Sequence, residues 1–489
     1  MDDLISDLNE DQKSAVLLPL TSPLIIQAGP GSGKTLTLAA RIAKAVLSNR
    51  FIRLLLYGCQ QPVELLKFYS RDKVNGCLVL TFSRNAVQEM KDRIGNYAAT
   101  KPVHSHSPSL LNRNVDVCTF HSYSFKLIKN HFSLLGYSNP PIICNAKSSR
   151  KIMTSILPHY AELSHCLADS AEGRAALSAV LKCIRLAKMS ADATEHLVRN
   201  ERAPLIPVLR QYQQKLVQSG MIEYVDMIPI ALNLLVTNQN VLQAELQRLP
   251  YVFCDEFQDT NRVQLSLLLT LASHGRVTIV GDSNQLIFGF QGAEQSNFSK
   301  FIDFFTVRKI SVNFVPLRVN YRSTPSIVRA SNSIASHQFP PAKVVVHSST
   351  RSAPMEMVSS LTFSQPRAAE DDAVLQSFPV QIHESSSDSQ EFAYISNLVL
   401  QLARGRVHSS FLRRHNPIQF KSSPIDEDLS AIDANEFIQL PPVALTDIAV
   451  LYRTNAIGNA FKEYLQTNYR SAYSFVMFLL NDICNTCCY

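Results

Sequence analysis

The chain contains no tryptophan and no apolar run near the roughly 20 residues needed to span a bilayer. The longest late apolar run covers only Phe475 to Leu480. The N-terminus is acidic and polar, without a secretory h-region. A disulfide framework is also missing: the ten cysteines are scattered, apart from Cys484, Cys487 and Cys488. That terminal Cys-x-x-Cys supplies at most part of a zinc site, because no second metal-ligating pair stands elsewhere. Internal repeats and a carboxylate-rich nuclease signature are absent too. These absences exclude membrane-spanning, disulfide-stapled and solenoid classes. They predict a soluble, intracellular protein, nuclear if the source is eukaryotic. What is present is a large apolar fraction, 46% of 489 residues, enough for two to four domains. The net charge of +7 is mildly basic and suits a polyanionic partner without demanding one.

The most informative stretch is Ala28-Gly29-Pro30-Gly31-Ser32-Gly33-Lys34-Thr35. An apolar run, Leu24-Ile25-Ile26, precedes it and a helical pattern follows it. Strand, glycine loop, Gly-Lys-Thr and helix in that order make a phosphate-binding loop. Glycine lets backbone N–H groups turn inward around phosphate oxygens, and the helix N-terminus adds its positive end. Lys34 is expected to reach the β- and γ-phosphates and the Thr35 hydroxyl to ligate Mg²⁺. Ala28 stands where the strict pattern has glycine.

Such a loop needs a carboxylate partner. Tyr251-Val252-Phe253-Cys254 reads as a buried strand with Asp255-Glu256 at its end. One acid completes the magnesium shell and the second orients or deprotonates the attacking water, so Asp255 takes the first role and Glu256 the second. A further strand, Val277–Val280, leads to Gln285, placed to sense the γ-phosphate. Upstream, Asn9 reads as a helix N-cap with Gln12 as its capping-box partner; the Gln12 amide also suits an adenine edge. Phe288 and Phe290 fit either core packing or a platform for single-strand bases. Tyr321 can stack on a nucleobase and Arg322 can reach a phosphate. Along the chain, residues 51 to 76 read as an insertion, Arg84 to Ile94 as a helix with a basic face, and Val115 to Ser122 as a short strand. The stretch from 338 to 390 reads as loop, Glu391 to Ala403 as helix, 404 to 437 as a second insertion, and Asp447 to Arg453 as a final strand.

Eight segments in order resemble the UvrD/Rep/PcrA family of superfamily 1 DNA helicases. They are Leu8 to Gln12, Ala28 to Thr35, Leu80 to Ala86, Thr119 to Ser122, Asp255 to Thr260, Val280 through Gln285 to Ala293, Asn320 to Ser323, and Ala449 to Asn455. The run Asp255-Glu256-Phe257-Gln258-Asp259-Thr260 is the most specific. The resemblance implies an α/β fold: a RecA-like P-loop NTPase domain with a parallel sheet and helices on both faces. Its first domain is expected over 1–122 and 223–315, an inserted helical subdomain over 123–222, part of a second RecA-like domain over 316–470, and an atypical tail over 471–489. ATP and Mg²⁺ are the implied cofactors, with Gln12, Ala28, Gly29, Pro30, Gly31, Ser32, Gly33, Lys34, Thr35 and Tyr321 binding ATP. Thr35 and Asp255 would hold the metal, and Glu256, Gln285 and Arg322 would act in hydrolysis. Phe82, His121, Phe288 and Phe290 sit in motifs that contact single-stranded DNA, and ssDNA–dsDNA junctions are the implied partners.

The implied activity is ATP-dependent 3′–5′ translocation and duplex unwinding, in repair or recombination. Three departures stand out: Leu36 and Gln291 where the family often has arginine, and Phe290 where tryptophan is frequent. Two late family motifs, a Thr-x-His-x-x-Lys-Gly-type segment and a γ-phosphate arginine, are not found, nor is the second inserted helical domain. The chain therefore reads as a truncated product or splice form. The alternative function is a non-unwinding form that binds ATP and single strands.

Overall fold

The computed structural model describes residues 5–58, 76–100, 114–167, 169–188, 193–286, 296–338, 358–359, 385–404, 406–408, 437–439, 443, 448–452 and 454–468. The chain divides into two units, Met1–Ser323 with Ser331–Thr362, and Thr324–Ala330 with Phe363–Tyr489.

The first unit opens with α1 (Glu10–Leu17), β1 (Leu24–Ala28), α2 (Lys34–Gly58), β2 (Cys77–Thr81), α3 (Arg84–Thr100), β3 (Val115–Thr119) and α4 (Phe120–Asn130). A mostly helical stretch follows: β4 (Ile142–Ile143), α5 (Ala146–Ile156), α6 (Ala171–Lys188), α7 (Ala193–Arg199), α8 (Leu205–Gln218) and β5 (Met221–Ile222). The chain then returns through α9 (Met227–Thr237), α10 (Gln239–Arg248), β6 (Tyr251–Cys254), α11 (Arg262–Leu271), β7 (Val277–Gly281), α12 (Asn297–Val307), β8 (Asn313–Leu317) and β9 (Val319–Asn320).

Six strands form one parallel sheet in the order β3-β2-β6-β7-β1-β8. Every residue of β2, β6 and β7 is buried, as expected for strands covered on both faces. Successive side chains point to opposite faces. Thus Ile26, Val79, Phe253 and Val280 join Leu38 and Ile42 of α2 and Met90 of α3 in one core. Ile25, Leu80, Val252 and Ile279 join Phe120 and Leu127 of α4, Leu268 of α11 and Phe301 of α12 in the other. The α/β architecture with helices on both sides of a parallel sheet is therefore present. The helices between α4 and β5 have a core of their own, with Met153, Ile156, Leu181, Ile184, Val208 and Tyr212 at its centre. Helix α4 packs instead with the sheet.

The chain continues through α13 (Pro325–Gln338), and β10 (Val358–Ser359) pairs in parallel with β9. In the second unit α14 (Asp388–Arg404) leads to an antiparallel pair, β11 (Arg406–His408) with β12 (Phe437–Gln439), and α15 (Asn455–Asn468). Phe392 of α14 meets Phe461 of α15 with ring centroids 5.2 Å apart. Among the described residues no helix is long and apolar enough to cross a membrane.

Several sequence readings are corrected. Helix α2 runs on to Gly58, into the stretch read as an insertion. Helix α3 extends past Ile94 to Thr100. Strand β3 stops at Thr119, whose hydroxyl accepts from Ser122 N–H and caps α4, so Phe120–Ser122 are helical. Residues 448–452 lie in no strand, and Leu451 is 90% exposed. An apolar run without a neighbouring strand has no ladder to join.

Candidate nucleotide and nucleic-acid site

Because the sheet is parallel, six strand ends lie along one edge, where ligands bind in such folds. The loop after β1, the Asp255-Glu256 exit of β6, the Asp282–Gln285 turn after β7 and the Asn320–Arg322 segment beyond β8 all emerge there.

The phosphate loop is shaped by two left-handed glycines, Gly31 at φ +69° and Gly33 at φ +79°. A Cβ on Gly33 would lie 2.5 Å from Gln12 Nε2. Ser32 is buried and its hydroxyl donates to Gly29 O at 2.8 Å. Ala28, where the strict pattern wants glycine, is buried at the end of β1. Lys34 and Thr35 are the first two residues of α2.

Lys34 Nζ donates to Glu256 Oε2 at 3.0 Å, joining positions 222 apart in sequence. Glu256 holds an uncommon left-handed backbone for a residue with a Cβ, φ +47°, which turns the chain sharply after β6. Gln258 Nε2 donates to the same Glu256 oxygen at 2.8 Å, while its Oε1 accepts from Asp282 N–H at 3.0 Å. Asp255 is buried, and its Oδ1 accepts from Glu256 N–H at 3.0 Å. Burial, then the neighbouring Glu256 charge, push the Asp255 carboxyl up to about 7. Asp259 is pushed up to about 7 by the same causes, and its Oδ1 is buried without a hydrogen-bond partner. Three acids thus face one ammonium, and their crowding holds Asp255 and Asp259 partly protonated near neutral pH; a cation beside them would relieve it. Among the described residues no group of three or more His, Cys, Asp or Glu forms a metal cage. A magnesium ion here would share its shell with phosphates, as that ion usually does.

Gln12 forms the full capping box with Asn9. The same amide also donates to Ser32 O at 3.0 Å, so it underlies the phosphate loop. Asn9 Nδ2 donates to the Tyr321 hydroxyl at 2.6 Å, and Tyr321 is 46% exposed. Tyr321 N–H donates to Gly31 O at 2.8 Å, and Asn320 Nδ2 donates to Pro30 O at 2.8 Å. Asn320 Oδ1 accepts from the N–H groups of Arg322 and Ser323. Gln285 stands at the expected edge, but its amide donates to Asp282 Oδ2 at 2.8 Å.

Of the residues expected at single-stranded DNA, Phe82 is half-buried between β2 and α3. His121 stacks on Tyr224, with centroids 3.8 Å apart and planes 15° off parallel. Burial pushes the imidazole down to about 4, so it is neutral. Tyr224 is 50% exposed and was not apparent from sequence; the local trace is an aromatic between Glu223 and Asp226. Phe288 and Phe290 lie outside the described residues.

Residues 8–306 match the family model described as the UvrD/REP helicase N-terminal domain. The ATP-dependent DNA helicase PcrA of Staphylococcus aureus is 26% identical over 335 residues, covering 68% of this chain and 40% of that protein. Its namesake from Staphylococcus epidermidis is 25% identical over 338 residues, covering 69% and 41%. The chain thus spans about two fifths of the length of these relatives.

Proposed function

Because the chain belongs to the UvrD/Rep helicase family, we propose that it forms the ATP-driven part of a DNA motor. Its reaction is Mg-ATP hydrolysis coupled to 3′–5′ movement along a single strand and opening of duplex at ssDNA–dsDNA junctions, in repair or recombination. The observation that carries this reading is the 3.0 Å pairing of Lys34 with Glu256 at the edge of a parallel sheet.

Thr35 and Asp255 would hold magnesium, which would supply charge neutralisation for the transferring phosphoryl group. Lys34 leaves Glu256 for the β- and γ-phosphates, and the freed Glu256 orients or deprotonates the attacking water. Gln285 and Arg322 turn to the γ-phosphate, Gln12 meets the adenine edge and Tyr321 its face. Phe82, His121 and Tyr224 line the single-strand path. The first RecA-like domain takes 1–122 and 223–315, the helical insertion 123–222, and part of a second RecA-like domain 316–470. The protein acts inside the cell, and its bacterial relatives lend no support to a nuclear address.

A second reading keeps this site and drops the movement: a polypeptide of these 489 residues binds ATP and single strands without unwinding. An arginine at the transition state is worth about 10³ to 10⁵ in rate in related phosphoryl transfers, so the two readings differ in turnover and not in binding. Two measurements test the proposal. Lys34→Ala should abolish binding of a fluorescent Mg-ATP analogue and leave the salt-dependent DNA affinity intact. Retained nucleotide binding would remove Lys34 from the site. Displacement of a strand from a 3′-tailed duplex separates the two readings.

A further inference from the structure

Lys188 ends α6 with its ammonium withdrawn from water; the side chain is 2% exposed. Its Nζ donates to Glu223 Oε2 and to Asp226 Oδ2, both at 2.9 Å. Glu223 Oε1 in turn accepts from the Tyr212 hydroxyl at 2.9 Å, the Ser149 hydroxyl at 3.0 Å and Arg185 at 3.0 Å. The Lys188 ammonium also stands 5.0 Å from the Tyr212 ring centroid. Side chains from α5, α6 and α8 of the helical insertion therefore converge on two carboxylates. Buried charges of this kind seldom raise stability over an apolar core of equal volume, but their hydrogen bonds demand one geometry.

The two carboxylates bracket Tyr224. Residues Tyr224–Asp226 form one tight turn, and Asp226 N–H donates to Glu223 O at 3.1 Å. With Glu223 held just before it and Asp226 two residues after it, the backbone carrying Tyr224 has little room to rotate, and its ring lies flat on His121. His121 belongs to α4, which packs on the sheet, whereas Lys188 ends α6, whose Leu181 and Ile184 sit in the separate helical core. The Glu223–Asp226 turn is thus the joint at which the insertion meets a half-exposed aromatic pair.

We propose that Lys188 is a positioning residue for single-strand binding: by pinning Glu223 and Asp226 it fixes Tyr224 against His121 and ties the stacking pair to the helical insertion. This rests on the reading that the pair stacks a nucleobase. Lys188 itself touches no strand; its effect passes through Tyr224.

The test is a double-mutant cycle in the 489-residue chain, read by fluorescence anisotropy of a labelled oligothymidylate at fixed salt. Tyr224→Ala should weaken binding about tenfold, the loss of one base stack. Lys188→Met should weaken it by a similar factor while a fluorescent ATP analogue binds as before, and Lys188→Arg should restore most of it. The double variant should bind as Tyr224→Ala does, because the two act through one ring. Losses that multiply would overturn the positioning role and leave the stacking role standing. No loss in Tyr224→Ala would overturn the stacking reading itself. If Lys188→Met loses nucleotide binding as well, and so fails to fold, Tyr212→Phe with Ser149→Ala replaces it. That pair loosens Glu223 without stranding a charge, with the same two outcomes expected.

Discussion

A Cβ placed on Gly31 would lie 2.6 Å from Arg322 Cβ and 2.9 Å from Asn320 Oδ1. The loop after β1 and the segment after β9 therefore meet so closely that a methyl group does not fit between them. Gly31 also holds φ +69°, a region costing an L-residue about 1–2 kcal/mol. Gly31→Ala should lose more than that backbone cost and should weaken Mg-nucleotide binding. Gly136 supplies the control: its φ is +79° but nothing lies within 4 Å of its missing Cβ. Gly136→Ala should lose the backbone cost alone, with nucleotide affinity unchanged. Urea denaturation and nucleotide titration of the two variants read the difference; equal losses would remove the steric lock.

Asn320 works from the other side of the same contact. It is buried, donating to Pro30 O and accepting from Arg322 and Ser323 N–H. Asn320→Ala should cost about 2 kcal/mol of stability, the range for losing a buried hydrogen-bonding amide. Asn320→Asp keeps the acceptor and loses the donor to Pro30 O. It also sets a negative charge beside the phosphate loop. Its nucleotide affinity should fall further than its stability does, and a change confined to stability would exclude the link between Asn320 and the loop.

His121 gives a pH signature. Burial holds its imidazole near 4, below the usual 6.5. Between those values the unfolded chain takes a proton that the folded chain refuses. The contribution to stability is thus complete above about pH 6.5 and is lost as pH falls toward about 4. His121→Phe keeps a ring for Tyr224 and removes the titration. Denaturation at about pH 5 and about pH 7.5 should show a smaller stability difference in the variant than in the parent chain. The salt slope of single-strand binding should stay the same between about pH 6 and about pH 8, since a neutral ring releases no counterions. A slope that steepens at the lower pH would mean a charged His121 at the strand.

How much of this was legible beforehand depends on the range of the interaction. Asp255 and Glu256 stand at a strand end, and Lys34 stands where a glycine loop opens a helix; both are local signals, and pairing them follows from the chemistry of magnesium phosphates. The Asn9–Gln12 capping box is local as well, and it is present. The second bond of Gln12, to Ser32 O, is not local and was invisible. The same holds for Tyr224, whose ring partner His121 is separated from it in sequence by helices α5 to α8. Strand order and register come from pairings between distant runs that all read alike as buried parallel strands. Residues 448–452 have the same apolar composition and join no ladder.

Arg41 shows how far tertiary packing overrides helical pattern. On an amphipathic helix an arginine belongs to the solvated face, yet Arg41 is completely buried. Burial pushes its guanidinium down to about 10. Its Nε donates to Thr278 Oγ1 at 2.9 Å, and its terminal nitrogens donate to Ala15 O at 2.6 Å, Leu18 O at 3.0 Å and Pro19 O at 3.0 Å. These carbonyls end α1, where the helix dipole is negative and the carbonyls lack helical partners. Lys44 adds bonds to Val16 O and Leu17 O at 2.9 Å and 2.8 Å. Helix α2, which starts at the phosphate loop, thus holds the C-terminus of α1, whose other end carries Asn9 and Gln12. Arg41→Met should strand several acceptors at once and cost at least about 3 kcal/mol. Lys44→Met, at the partly exposed rim, should cost about 1 kcal/mol. Arg41→Lys should fall between them. Because Gln12 rides on α1, Arg41→Lys should also weaken adenine nucleotides more than inorganic triphosphate. Equal weakening of both would show that Arg41 steadies the fold without setting the base-binding end of the site.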